Sequence, residues 1–87
     1  MDAYKILWKH SAEKDLKGID RQFLLRIMET VDLLSDDPFP SQHKKLLGSE
    51  SSYRIRIGDY RVIYQVDPET KIITIYHVRH RKDVYRK

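Results

Sequence analysis

The alternation in "SYRIRI", residues 52–57, leaves that segment few choices but a β-strand with one apolar and one cationic face. Successive strand side chains point to opposite sides, so Tyr53, Ile55 and Ile57 share one face and Arg54 and Arg56 the other. Gly58-Asp59 fits a two-residue hairpin turn with glycine first, and "YRVIYQV" returns as the next strand. "DPET" then turns the chain into "KIITIYHVRH". The second half therefore reads as a three-stranded antiparallel meander that runs out into a basic tail.

The first half carries a different period. "YKILWK" (Tyr4 to Lys9) reads as a strand with Ile6 and Trp8 on one face. "HSAEKDLKG" reads as a short helix with Ser11 as its N-cap and Gly18 as its stop. Asp20 is placed to cap a second helix through "RQFLLRIMETVDLLS", where Leu24, Ile27, Met28, Val31 and Leu34 recur at helical spacing and mark a core stripe. Asp36-Asp37-Pro38 ends it, because the residue before proline avoids helical torsions. "FPSQHKKLLGSES" reads as a loop that carries the basic segment His43-Lys44-Lys45.

At 87 residues the chain is expected to be one domain, 1–87, with a modest core. It contains no cysteine, which excludes disulfides, thiolate metal sites and a cysteine nucleophile. The acidic, weakly apolar N-terminus does not read as a signal peptide, and no stretch approaches the roughly 20 apolar residues of a membrane span. A cytoplasmic location without membrane contact is the expectation.

Charge is distributed unevenly. Residues 1–39 hold six Lys/Arg against eight Asp/Glu, whereas residues 40–87 hold eleven against five, giving −2 and +6 of the net +4. A basic, β-rich half beside an acidic, helical one suggests that the sheet side faces a polyanion. Arg54 and Arg56 come near Arg61 if the hairpin register agrees, and Arg79 and Arg81 leave the neighbouring strand. Like charges so close repel, and phosphate relieves that repulsion through arginine's planar, bidentate fork. Tyr53, Tyr60, Tyr64, Tyr76 and Tyr85 lie in the same half, where aromatics beside arginines can stack unpaired bases. Tyr53 and Tyr64 alternate into the sheet as core residues, whereas Tyr85 sits in a polar tail. His77 and His80, three apart on a strand, point to opposite faces, which argues against a shared metal site and leaves each as a candidate for proton transfer.

Such a set suits metal-free RNA cleavage, in which the substrate's 2′-OH attacks the adjacent phosphate. Histidine or tyrosine can move the protons and arginines can hold the developing charge. Guanidinium groups beside a tyrosine favour its phenolate, which makes it a better base.

The succession "KKLLG…YRIRIGDYRVIYQVD…IYHVRHRKDVY" resembles the RelE/ParE superfamily of type II toxins over essentially the whole chain. The resemblance implies an α+β, RelE-like (microbial RNase-like) fold, β-α-α-β-β-β, with two N-terminal helices packed on an antiparallel sheet. It further implies a ribosome-dependent endoribonuclease that cuts mRNA in the 30S A site without a cofactor. A cognate RelB-like antitoxin would restrain it, in a toxin–antitoxin heterotetramer. Carried over by position, the family's basic pair, usually lysine, falls on Arg54 and Arg56, its next arginine on Arg61, and its late phosphate-holding arginine on Arg79. The candidate base falls on Tyr85, and Arg81 matches a basic position near the site. Arginine does not readily release a proton, so Arg54 and Arg56 are assigned to charge stabilisation. His77, with His80, is an added candidate for proton transfer, and Lys44, Lys45, Lys82 and Arg86 are expected to contact RNA. The alternative within the superfamily is a ParE-like gyrase inhibitor of the same fold without nuclease activity.

Overall fold

The computed structural model describes residues 3–40 and 52–80, and the backbone of 43–45. Strand β1 (Lys5–Trp8) leads into helix α1 (His10–Leu16) and the longer helix α2 (Arg21–Leu34). Strands β2 (His43–Lys45), β3 (Ser52–Ile57), β4 (Tyr60–Asp67) and β5 (Ile72–His80) complete one sheet of order β1-β5-β4-β3-β2. The meander β3-β4-β5 is antiparallel as its alternation predicts. Two features correct the sequence reading. His43–Lys45 is a short edge strand paired to β3 and not loop, and β1 runs parallel to β5, so the sheet is mixed and five-stranded.

Alternation sends Ile55, Ile57, Val62, Tyr64, Val66, Ile73, Ile75 and Val78 to one side of the sheet. There they meet Ile27, Val31 and Leu34 of α2 and Ala12 of α1. Of the expected stripe, Leu24 and Met28 are only half-buried, because they flank the line of contact. Burying a Val or Ile side chain contributes roughly 1.5–3 kcal/mol, so this one layer dominates stability. Tyr64 lies in its centre, fully buried, and donates its hydroxyl to the Pro38 carbonyl at 2.9 Å. Burial, then Tyr53, then Asp37 push its phenol well above the usual range for tyrosine. Tyr53 and Phe39 extend this stack with ring centroids 5.9 and 5.1 Å apart.

Local signals act partly as expected. Gly58 takes the left-handed torsion that a tight hairpin needs at its first turn position (φ 61°). Asp20 stands at the N-cap of α2 but makes no side-chain cap bond. Ser11 does not cap α1; Lys9 holds that position, and the Ser11 hydroxyl donates to the Tyr76 carbonyl at 2.7 Å instead. That bond matters to the sheet. β1 reaches along β5 only as far as the Trp8–Ile75 pair, and the Lys9 amide donates to the Ile75 carbonyl at 2.9 Å. Beyond it α1 takes over the β5 edge: Ser11 serves the Tyr76 carbonyl, and an Asp15 carboxylate oxygen accepts from the Val78 amide at 3.0 Å. Backbone groups that would be open on an edge strand are thereby satisfied. Among the described residues no helix is long and apolar enough to cross a membrane.

Candidate functional site on the sheet face opposite helix α2

Register decides which side chains meet on the face opposite α2. Arg56 lies opposite Arg61, and Arg61 opposite Arg79, so three arginines form one row across β3, β4 and β5. Directly opposed Cβ atoms in antiparallel strands stand about 4.5–5.5 Å apart. The next row on that face is Arg54, Ile63 and His77, and Lys44 of β2 holds the register position beside Arg54.

The third member of each row depends on a bulge. Tyr64 pairs with Ile75 but Ile63 pairs with His77, so Tyr76 is an extra residue in β5. Were the same residues paired without a bulge, strict alternation from Ile73 and Ile75 would turn His77 and Arg79 into the core and Val78 outward. With the bulge, Val78 is buried and His77 and Arg79 join the arginine face. The sequence does carry the signal, since apolar core positions 73, 75 and 78 break the period of two.

Contacts around His77 are specific. Its Nδ1 lies 3.3 Å from Asp15 Oδ2 and 3.2 Å from Arg79 Nη2. About a third of the side chain is exposed (34 %), so the ring reaches solvent while held on one edge. Arg56 behaves differently from its row: its Nε donates to the Gly58 carbonyl at 3.0 Å, which fastens it over the hairpin turn. His80 parts from His77, as their spacing predicts. Its ring packs edge-on against Tyr60 at 5.0 Å, and Tyr60 in turn packs on Phe23 of α2. Tyr76 lies on the arginine side, donating its hydroxyl to Gln65 Oε1 at 2.9 Å, with Lys9 Nζ 5.7 Å from its ring centre.

The structure thus brings together Arg54, Arg61, His77 and Arg79, with Arg56 at the rim. Tyr85, Arg81, Lys82 and Arg86 lie outside the described residues, as do the side chains of Lys44 and Lys45. Sequence reasoning missed Asp15, which reads as an ordinary exposed acid on a short helix until folding sets it against His77. A groove of about 450 Å³ between α2 and the β3-β4 hairpin, lined by Arg26, Leu33, Ile55 and Ile57, lies on the other side of the sheet, and neither His77 nor His80 is among its described lining residues. A row of cationic side chains across neighbouring strands suits the repeated charges of an extended polyanion.

Residues 6–85 match the family described as the ParE toxin of the type II toxin-antitoxin system, parDE. The chain is 33% identical to toxin RelE3 of Methanocaldococcus jannaschii over 85 residues, 93% of this chain and 94% of that protein. It is 30% identical to toxin RelG of Mycobacterium tuberculosis over 88 residues, 97% and 98% of the two chains. The archaeal RelE-RelB complex from Pyrococcus horikoshii superposes with a TM-score of 0.81 at 32% identity, covering 91% of this chain and 96% of that one. The chain belongs to the RelE/ParE superfamily, and within it is a type II toxin of the RelE family.

Proposed function

We propose that this toxin is a ribosome-dependent endoribonuclease that cuts mRNA in the A site and is held inactive by a cognate RelB-like antitoxin. The observation that carries the reading is the arginine row with His77 beside it, which sets charge stabilisers and a candidate proton-transfer group on one face. In the proposed reaction the 2′-oxygen attacks the adjacent phosphorus and the bond to the 5′-oxygen breaks, which leaves a 2′,3′-cyclic phosphate and a 5′-hydroxyl. Arg61 and Arg79 hold the charge that builds on the phosphoryl oxygens, with Arg54 and Arg56 flanking them. His77 or Tyr85 takes the 2′-hydroxyl proton. Lys44, Lys45, Arg81, Lys82 and Arg86 add contacts to RNA, whose strength falls with salt.

The antitoxin reading is supported by solved relatives that are RelE-RelB complexes, such as that of Pyrococcus horikoshii, and by apolar side chains left exposed on α2, Leu25 at 56 % and Leu33 at 67 %. A partner that covers these and neutralises the arginine face would suppress activity. Incubating purified toxin with programmed ribosomes and mapping mRNA ends tests the reading. Codon-phased cuts are the predicted result, and DNA breaks in the presence of gyrase with intact mRNA would replace this reading with the ParE-like one.

A further inference from the structure

We propose that Asp15 is a positioning residue: it holds His77 with the proton on Nδ1 and leaves Nε2 as the nitrogen that takes the 2′-hydroxyl proton. This rests on the RNA-cleavage reading and adds to it a residue from a different element, 62 positions away in the chain.

The argument is one of competing partners for one atom. Nδ1 of His77 has a carboxylate oxygen at 3.3 Å and a guanidinium nitrogen at 3.2 Å. A guanidinium can only donate, and an ionised carboxylate can only accept. One proton therefore decides the contact. If Nδ1 is bare, Arg79 donates to it, and the lone pairs of Nδ1 and Asp15 Oδ2 face each other. If Nδ1 carries the proton, it donates to Asp15, and Arg79 must turn elsewhere.

The two partners differ in freedom. The same Oδ2 already accepts the Val78 amide at 3.0 Å, so the carboxylate is pinned to the β5 backbone from the edge that α1 covers. Arg79 has four other N–H groups on a long flexible stem. The pinned acceptor therefore sets the tautomer. A phosphate arriving on the arginine row draws Arg79 further from the ring. With Nδ1–H committed to Asp15, the neutral ring presents a lone pair only at Nε2. The 2′-hydroxyl proton moves to Nε2 as the 2′-oxygen–phosphorus bond forms. The phosphorus–O5′ bond breaks, the departing oxygen takes a proton from water, and the imidazolium returns its proton to the hydroxide left behind.

The experiment uses the full chain labelled with ¹⁵N-histidine. Long-range ¹⁵N–¹H correlation spectra of the wild type at pH 8.5 should show His77 protonated on Nδ1. A ring protonated on Nε2 overturns the inference whatever the activity. In single-turnover cleavage on ribosomes, Asp15→Asn keeps an oxygen for the Val78 amide and should lose about 10²-fold in rate with ribosome affinity unchanged. Ser11→Ala, which removes the companion bond along the same edge, should cleave at the wild-type rate. Equal rates for Asp15→Asn and wild type overturn the inference while leaving the nuclease reading intact. A wild type that does not cleave overturns the nuclease reading itself, and the inference with it.

Discussion

Replacing Arg61 by glutamine should weaken the hold of this face on RNA and lower its salt dependence. Arg61 is the middle of the row, directly opposed by Arg56 on β3 and Arg79 on β5. Glutamine keeps the first two methylenes but loses the charge, so one phosphate contact goes with it. Each such contact to single-stranded RNA adds about 0.7 to the slope of log K against log salt, so the variant's slope should be shallower by about 0.7. Over a fourfold rise in salt that difference means about 2.6-fold less loss of affinity than in the wild type. Titrating labelled single-stranded RNA across that salt range measures it, with thermal denaturation to show that the variant is folded. An unchanged slope in a folded Arg61→Gln variant would refute the idea that the centre of this row contacts phosphate.

Four further outcomes follow from the geometry. Tyr64→Phe leaves the Pro38 carbonyl without its partner and should cost about 1–2 kcal/mol, read as a lower denaturation midpoint. Because burial raises the Tyr64 phenol in the native state, the unfolded chain loses that proton first, so stability should decline as pH rises above about 10; Tyr64→Phe should flatten that decline. Deleting Tyr76 removes the extra residue itself, so Ile75 is followed directly by His77 and strict alternation still sends Val78 to the core and His77 and Arg79 outward. That variant should keep a cooperative melt, read by circular dichroism. Arg79→Ala should cut the single-turnover cleavage rate by 10²-fold or more while leaving the melting temperature within a few degrees of wild type.

Much of the site was legible because the meander is local. Alternation in "SYRIRI", the glycine at 58 and the return strand fix a hairpin, and the hairpin register alone puts Arg56 opposite Arg61. The core stripe of α2 was legible for the same reason, one helical period read over 14 residues. What was not legible depends on distant pairing. Nothing in "KILW" says that its partner is β5 or that the pairing is parallel, since that choice is made by the α1-α2 connection and core packing. His43–Lys45 has no apolar period and becomes a strand only because β3 offers an edge. Asp15 has no meaning as a site residue until β1 stops short at Trp8 and leaves α1 beside the open stretch of β5. The bulge lies between these cases: its phase break is written in residues 73, 75 and 78, yet its consequence, the outward turn of His77 and Arg79, appears only once β4 supplies the register.

The central claim is that the arginine row and His77 act on RNA lying in the ribosomal A site. The most direct measurement compares mRNA cleavage on ribosomes whose A site is empty with cleavage on ribosomes whose A site is filled by tRNA, capturing 2′,3′-cyclic phosphate ends. The account predicts cuts at the A-site codon only when that site is empty, carrying cyclic phosphate ends and lost in Arg79→Ala. Intact mRNA in both complexes, with a folded toxin that introduces breaks into DNA through gyrase, would contradict it.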